Sequence, residues 1–218
     1  VTEDVVVEII ARASLPTSHG GLEICAFSGL SDGREHVAIV KGDIAGTSEL
    51  PTRLHSQCIT GDVLASLRCD CRTQLELSLQ HIAAQERGLV LYLRQEGRGI
   101  GLVNKIRAYA LQDEGLDTVE ANHALGFHDD ERDYTAAAEM LRCLEVRSVL
   151  LMTNNPSKIA QLEQRGIRVS GRLPHETLPN EHNARYLETK KRKSGHLLDM
   201  LGADRPRPAD ILHAAVHI

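Results

Sequence analysis

Apolar and polar positions change period several times along the chain, and each change marks an element. Val37, Ile39 and Val40 make Glu35–Lys41 a strand, and Arg53–Gln57 reads as a second strand entering a cysteine segment. From Thr73 to Gln85 the period becomes helical, with Leu75, Leu79, Ile82 and Ala83 at i, i+4, i+7 and i+8. Gly88 is expected to end that helix as its C′ residue. Leu89–Leu93 has the continuous apolar run of a buried strand. A glycine-rich polar loop, Arg94–Gly101, precedes a helix expected over Leu102–Asp113. A further helix is expected over Tyr134–Leu144, a buried strand over Val146–Met152, and a helix over Ser157–Gln164 after the Thr153-Asn154-Asn155-Pro156 turn. Strands alternating with helices predict an α/β or mixed three-layer architecture. Internal repeats and low-complexity stretches are absent from the sequence; Lys191-Arg192-Lys193 is a short basic run.

Composition narrows the class. The 218 residues suffice for one large core without disulfide staples, and with no Trp and two Phe that core rests on Leu, Ile, Val and Ala. A net charge of -5 disfavours a general nucleic-acid binder, although local Arg and Lys clusters can still hold a small anion. Val1–Ala11 carries Glu3, Asp4 and Glu8 and lacks the basic start of a signal peptide. Apolar runs are too short to span a bilayer. A soluble, cytoplasmic protein is expected, with no nucleic acid and no membrane among its partners.

Five cysteines are present, and Cys58, Cys69 and Cys71 fall within one short stretch as C-x10-C-x-C. Clustered cysteines in a cytoplasmic chain favour metal or catalysis over disulfides. Three thiolates can hold Zn²⁺ at roughly 2.3 Å each and leave a fourth corner open. An open corner is the catalytic arrangement, in which zinc lowers the pKa of bound water from about 15.7 towards about 7. On spacing alone, catalytic zinc leads, and a structural zinc closed by His55 or another His, or cysteines without metal, stays open.

Longer blocks carry a resemblance. Arg53-Leu54-His55-Ser56-Gln57-Cys58 with Ser66-Leu67-Arg68-Cys69-Asp70-Cys71 resembles the zinc segment of the GTP cyclohydrolase II family of riboflavin synthesis. Arg94–Leu102, Lys105–Gln112, Asp117–Asn122, Leu125–Phe127, Asp130–Tyr134 and Thr153–Lys158 resemble it too, in family order and spacing. The likeness covers roughly Ala13–Asp199. It implies an α/β fold, a mixed sheet with helices packed on both faces, in a catalytic domain over residues 1–200. Residues 201–218 are expected to form a loosely attached tail. The chain is too short for the fused form of the family, so the stand-alone form is expected.

The resemblance implies opening of the GTP imidazole ring at C8, with release of formate and pyrophosphate. It implies Cys58, Cys69 and Cys71 as zinc ligands, Tyr109 beside the metal water, and Arg132 and Asp130 at the α-phosphorus. Around GTP it implies Arg53, Leu54, His55, Ser56, Gln57, Gln74, Glu96, Gly97, Arg98, Thr118, Thr153 and Lys158, with Mg²⁺ on the triphosphate and a homodimer as the assembly. Arg98 and Lys158 suit phosphates, and Glu96 suits the guanine N1–H and 2-amino donors. Without the family, Tyr109 reads as a buried helix tyrosine and Asp130-Glu131-Arg132-Asp133 as a solvated charge run.

Several positions depart from the family pattern. Gln57 stands where Glu is usual, Arg72 where Gly is usual, and His128 and Asp129 where small residues or Pro are common. Such departures fit a paralogue serving another pathway as the alternative. A relative that retains the formyl group is a second alternative; those relatives differ at the tyrosine position.

Overall fold

The computed structural model describes residues 6–193 and 195–198. Seven strands build one sheet: β1 (Glu8–Thr17), β2 (Gly20–Ser28), β3 (Val37–Lys41), β4 (Leu50–Ser56), β5 (Gly88–Leu93), β6 (Val149–Met152) and β7 (Val169–Leu173). Their spatial order is β1-β2-β3-β5-β4-β6-β7. From β1 to β5 neighbours run antiparallel, and from β5 through β4 and β6 to β7 they run parallel. Among the described residues six α-helices accompany it: α1 (Cys71–Ala84), α2 (Gly101–Asp113), α3 (Thr118–Ala124), α4 (Thr135–Cys143), α5 (Pro156–Gln164) and α6 (Ala184–Lys193).

The central strands of the sheet are covered on both faces, as expected. Ala38, Val40, Leu89 and Leu91 bury against Met140 and Leu141 of α4 and Leu162 of α5. The intervening Ile39 and Val90 point the other way, onto Ile82 and Leu79 of α1. This explains the unbroken apolar run of β5: a strand buried on both sides has no polar alternation.

α1 leads from β4 to β5 on one side of β4, and α2, α3 and α4 lead on to β6 on its other side. The connections therefore diverge around β4. Such sheets bind ligands in the crevice at the carboxyl ends of their strands.

Helix bounds follow local chemistry. Asn155 caps α5 by accepting from Ser157 N at 3.0 Å, and Pro156 occupies the first turn, where its missing N–H costs nothing. Asp117 and Glu120 form a capping box on α3. Gly88 does not cap α1, which ends at Ala84 with Gln85 already extended. Gly88 opens β5 instead. A Cβ there would lie 2.7 Å from Ile82 Cβ, so close helix–strand packing is what requires the glycine. β1, β2, β7, α3 and α6 add to the elements the sequence pattern suggested. The expected tail lies outside the described residues. Among those residues no helix is long and apolar enough to cross a membrane.

Candidate active site

The end of β4, the turn at Ile59–Val63 and the start of α1 bring the three predicted cysteines together. Their sulfurs lie within 4.8 Å of one another, with Cys58 and Cys69 at 3.7 Å. Ligands about 2.3 Å from a tetrahedral zinc stand about 3.8 Å apart, so the spacing fits one metal ion. His55 is not a fourth ligand: its Nε2 faces both oxygens of buried Asp62 at 3.1 Å. Among the described residues no other Cys, His, Asp or Glu joins the cluster.

The surroundings are shaped for sulfur. Gly61 N donates to Cys58 Sγ at 3.4 Å, and a Cβ on Gly61 would sit 2.9 Å from Cys69 Sγ. Asp62 anchors the turn by accepting from Cys58 N at 2.9 Å and Tyr92 OH at 2.8 Å. Lys105 of α2 donates to Cys58 Sγ at 3.1 Å and to Glu96 Oε1 at 2.8 Å. Hydrogen bonds from Cys69 and Cys71, with the Lys105 charge, pull the Cys58 thiol far below its ordinary range. The Cys58 bond and burial push Cys69 up to about 11, and Cys71 rises as well. The Lys105 ammonium beside Cys58 favours the thiolate form of that sulfur.

Tyr109 reaches the cluster through Thr60: its hydroxyl is 3.3 Å from Thr60 Oγ1, which is 3.6 Å from Cys58 Sγ. Burial pushes the phenol up to about 12, against Thr60 and Lys105. Arg68 lies 4.9 Å from the ring centre.

Cations dominate the rest of the cleft. Arg53 is fixed by Met152 O at 2.9 Å and Gln74 Oε1 at 2.5 Å. Lys158 donates to Leu54 O at 2.7 Å, and burial, Arg53 and Arg132 depress its pKa well below the usual lysine value. Arg132 is held by Asp130 through Nε at 2.7 Å and a terminal nitrogen at 2.5 Å. Burial works against the Arg132 charge, but Tyr134 and Asp130 outweigh it and the guanidinium keeps its proton. Arg98 adopts φ 59 between Gly97 and Gly99, also left-handed. A non-glycine residue in that region costs about 1 kcal/mol or more.

Arg53 Nε, His55 Nδ1 and Arg98 NH2 are buried with no partner among the described residues. Polar groups left unpaired in this way cost about 1–3 kcal/mol each, and a bound anion relieves that cost for the guanidinium donors.

One cleft gathers nearly all predicted site residues; only Leu54 and Asp130 stay off its wall. Leu54 is fully buried and contributes its carbonyl to Lys158. Asp130 meets the cleft through its hydrogen bonds with Arg132. Glu96 lies on the same cleft wall. Its oxygens already accept from Lys105, Gly97 N at 3.0 Å and Ile59 N at 2.7 Å, so it ties the metal turn to α2. Arg72 has no positive φ and pairs with Glu76 at 2.9 Å, so its helical position does not demand glycine.

Sequence reasoning missed Asp70, Lys105, His175, Tyr186 and Lys190 on the same wall. Lys105 sat inside a resembling block, four residues before Tyr109 on the same helix face, and that spacing was the available signal. Lys190 lay beside the basic run and carried no signal of burial.

A sulfur cluster fit for one metal, opening on a cleft of cations, suits a metal-dependent enzyme acting on an anionic substrate. The chain belongs to the GTP cyclohydrolase II family, whose sequence profile matches residues 8–174, and it is an enzyme of that class. It is 54% identical over 195 residues to the GTP cyclohydrolase-2 of Klebsiella pneumoniae (strain 342), covering 89% of this chain and 98% of that one. It is 55% identical over 189 residues to that of Escherichia fergusonii, covering 87% and 96%. It is 54% identical over 192 residues to that of Tolumonas auensis, covering 88% and 98%. Among solved structures, a two-domain 3,4-dihydroxy-2-butanone 4-phosphate synthase from A. baumannii aligns over 70% of this chain and 35% of its own, at 18% identity and a TM-score of 0.37.

Proposed function

We propose that this protein hydrolyses GTP at three bonds. Water opens the imidazole ring at C8, a second water releases the formyl carbon as formate, and a third releases pyrophosphate from the α-phosphorus. The product is 2,5-diamino-6-ribosylamino-4(3H)-pyrimidinone 5′-phosphate, a precursor in riboflavin synthesis. The observation that carries this reading is the meeting of the Cys58, Cys69 and Cys71 sulfurs with the unpaired donors of Arg53 and Arg98 in one cleft.

Cys58, Cys69 and Cys71 would hold Zn²⁺, which when bound supplies hydroxide at neutral pH by acidifying water. Tyr109 keeps its proton at neutral pH and donates it towards the leaving ring nitrogen. Lys105 offsets the charge of the Cys58 thiolate. Arg53, Arg98 and Lys158 bind the triphosphate, together with Mg²⁺. A phosphate among these groups also favours the charged form of Lys158, which burial and its cationic neighbours oppose. Gln74 fixes Arg53, and His55, Ser56, Gln57, Gly97, Thr118 and Thr153 complete the walls. Arg132 stabilises the charge that develops as pyrophosphate leaves, held in place by Asp130. A guanidinium that retains its proton offers no lone pair, which argues against Arg132 as a nucleophile.

The assembly we propose is a cytoplasmic homodimer. Val63, Leu64 and Leu67 beside the metal turn, and Leu102, Val103 and Ile106 on α2, are exposed apolar side chains. The two segments are joined by the Arg68–Asp113 ion pair, and we infer that together they receive a second copy.

Zinc-loaded protein incubated with GTP and Mg²⁺ tests the reaction. Formate and pyrophosphate are expected in equal amounts, with loss of purine absorbance. Pyrophosphate without formate would identify a formyl-retaining enzyme, and neither product would leave only a binding protein.

A further inference from the structure

α6 lies beyond the region matched by the family profile, yet it forms part of the cleft wall. Its Leu187 and Lys190 turn inward while Glu188, Lys191 and Arg192 face solvent. Lys190 Nζ meets Asp70 Oδ1 at 3.0 Å, with side chains only 11% and 3% exposed. Asp70 stands between the ligands Cys69 and Cys71. Its other oxygen accepts from Gln74 Nε2 at 2.5 Å and Thr177 Oγ1 at 3.0 Å. Lys190 also lies 4.4 Å from the centre of the Tyr186 ring, which packs against Arg98 at 5.9 Å. A second latch, Lys193 to Asp117 and Glu120, docks the same helix on α3 through residues other than Asp70.

A buried ion pair is a weak stabiliser, because desolvation offsets most of its attraction, but it is strongly directional. Here the direction is set by Asp70. We propose that Lys190 is a positioning residue of the metal site: α6 delivers its ammonium to Asp70, and this contact fixes the Cys69-Asp70-Cys71 turn so that two of the three sulfurs keep their ligating geometry. The inference rests on the reading of the three cysteines as metal ligands. Groups that orient ligands from outside the coordination sphere typically alter metal affinity by roughly 10- to 100-fold.

The test measures zinc dissociation into a chromogenic chelator from the full chain, alongside the absorption spectrum of the cobalt-substituted protein. Lys190→Met is expected to lose zinc roughly 10- to 100-fold faster and to show altered cobalt bands. Lys190→Arg is expected to restore both. Lys193→Met, which loosens α6 without touching Asp70, is expected to leave both at wild-type values. Asp70→Asn, close to isosteric, is expected to match Lys190→Met and serves in its place if that variant does not fold. Wild-type zinc release in both Lys190→Met and Asp70→Asn overturns the proposal. So does equal loss in Lys193→Met, which would assign the effect to helix docking in general. A wild-type protein that binds no zinc would instead overturn the reading of the cysteines themselves.

Discussion

The ammonium of Lys105 stands 3.1 Å from the sulfur of Cys58, across forty-seven residues of sequence. It also bonds Glu96 at 2.8 Å, and both side chains of that pair are only 10% exposed. Removing one member of a buried pair leaves the other charge uncompensated. Lys105→Met is therefore expected to weaken zinc binding by roughly 10- to 100-fold in equilibrium competition with a chelator, while circular dichroism shows the same fold. Unchanged affinity would mean that the Lys105–Cys58 contact has no bearing on the metal.

Gly61 tests the same cluster by shape alone. Its backbone has no left-handed φ, so a side chain there is opposed only by space. The added Cβ would lie 2.9 Å from Cys69 Sγ and 3.2 Å from Cys58 Sγ. Gly61→Ala is expected to fold normally but to retain well under one zinc per chain by elemental analysis. Full zinc content would show that the turn yields without disturbing the sulfurs.

Arg132 separates charge stabilisation from simple binding. Loss of a group that stabilises transition-state charge typically costs about 10²–10³ in kcat. Arg132→Ala is expected to lose that much turnover, with the KM for GTP changed only a few-fold. Matching losses in kcat and affinity, measured by steady-state kinetics and nucleotide titration, would make Arg132 a binding residue only.

His175 contributes to the loss of stability on the acid side. Burial, then the nearby Arg53 charge, holds its pKa at about 3 against 6.5 for the free side chain. Its Nε2 lies 2.8 Å from Gln74 O and 3.1 Å from Ser78 Oγ. Between these two pKa values the unfolded chain carries a proton that the folded one does not. The stability is complete above pH 6.5 and falls by about 1.4 kcal/mol per pH unit as pH drops towards 3. Urea unfolding between pH 6.5 and 4 is expected to show a slope shallower by about one proton in His175→Gln. An identical slope would mean that His175 titrates normally.

The elements legible in the sequence were those whose burial imposes a period. The helix expected over Tyr134–Leu144 is α4, with those two residues as its caps. Leu89–Leu93 lies in β5 because both of its faces are covered. β1 carried no such signal: it is an edge strand, exposed along most of its length and bulged between Ile9 and Ala11. α6 hid because a buried lysine reads as a charged one until its partner, Asp70, is known. The cysteine cluster was legible because it sits on one short segment. The lysines that meet it were not, since Lys105 and Lys190 arrive from distant helices and only the fold reveals the meeting.

The most direct test is X-ray absorption at the zinc edge of the purified wild-type protein. One zinc per chain is expected, with three sulfur neighbours at about 2.3 Å and one oxygen or nitrogen neighbour at about 2.0 Å. That light neighbour is expected to change when GTP or a nonhydrolysable analogue is added. Four sulfur neighbours, an imidazole that persists as the fourth neighbour under all conditions, or an active protein without zinc would contradict the account.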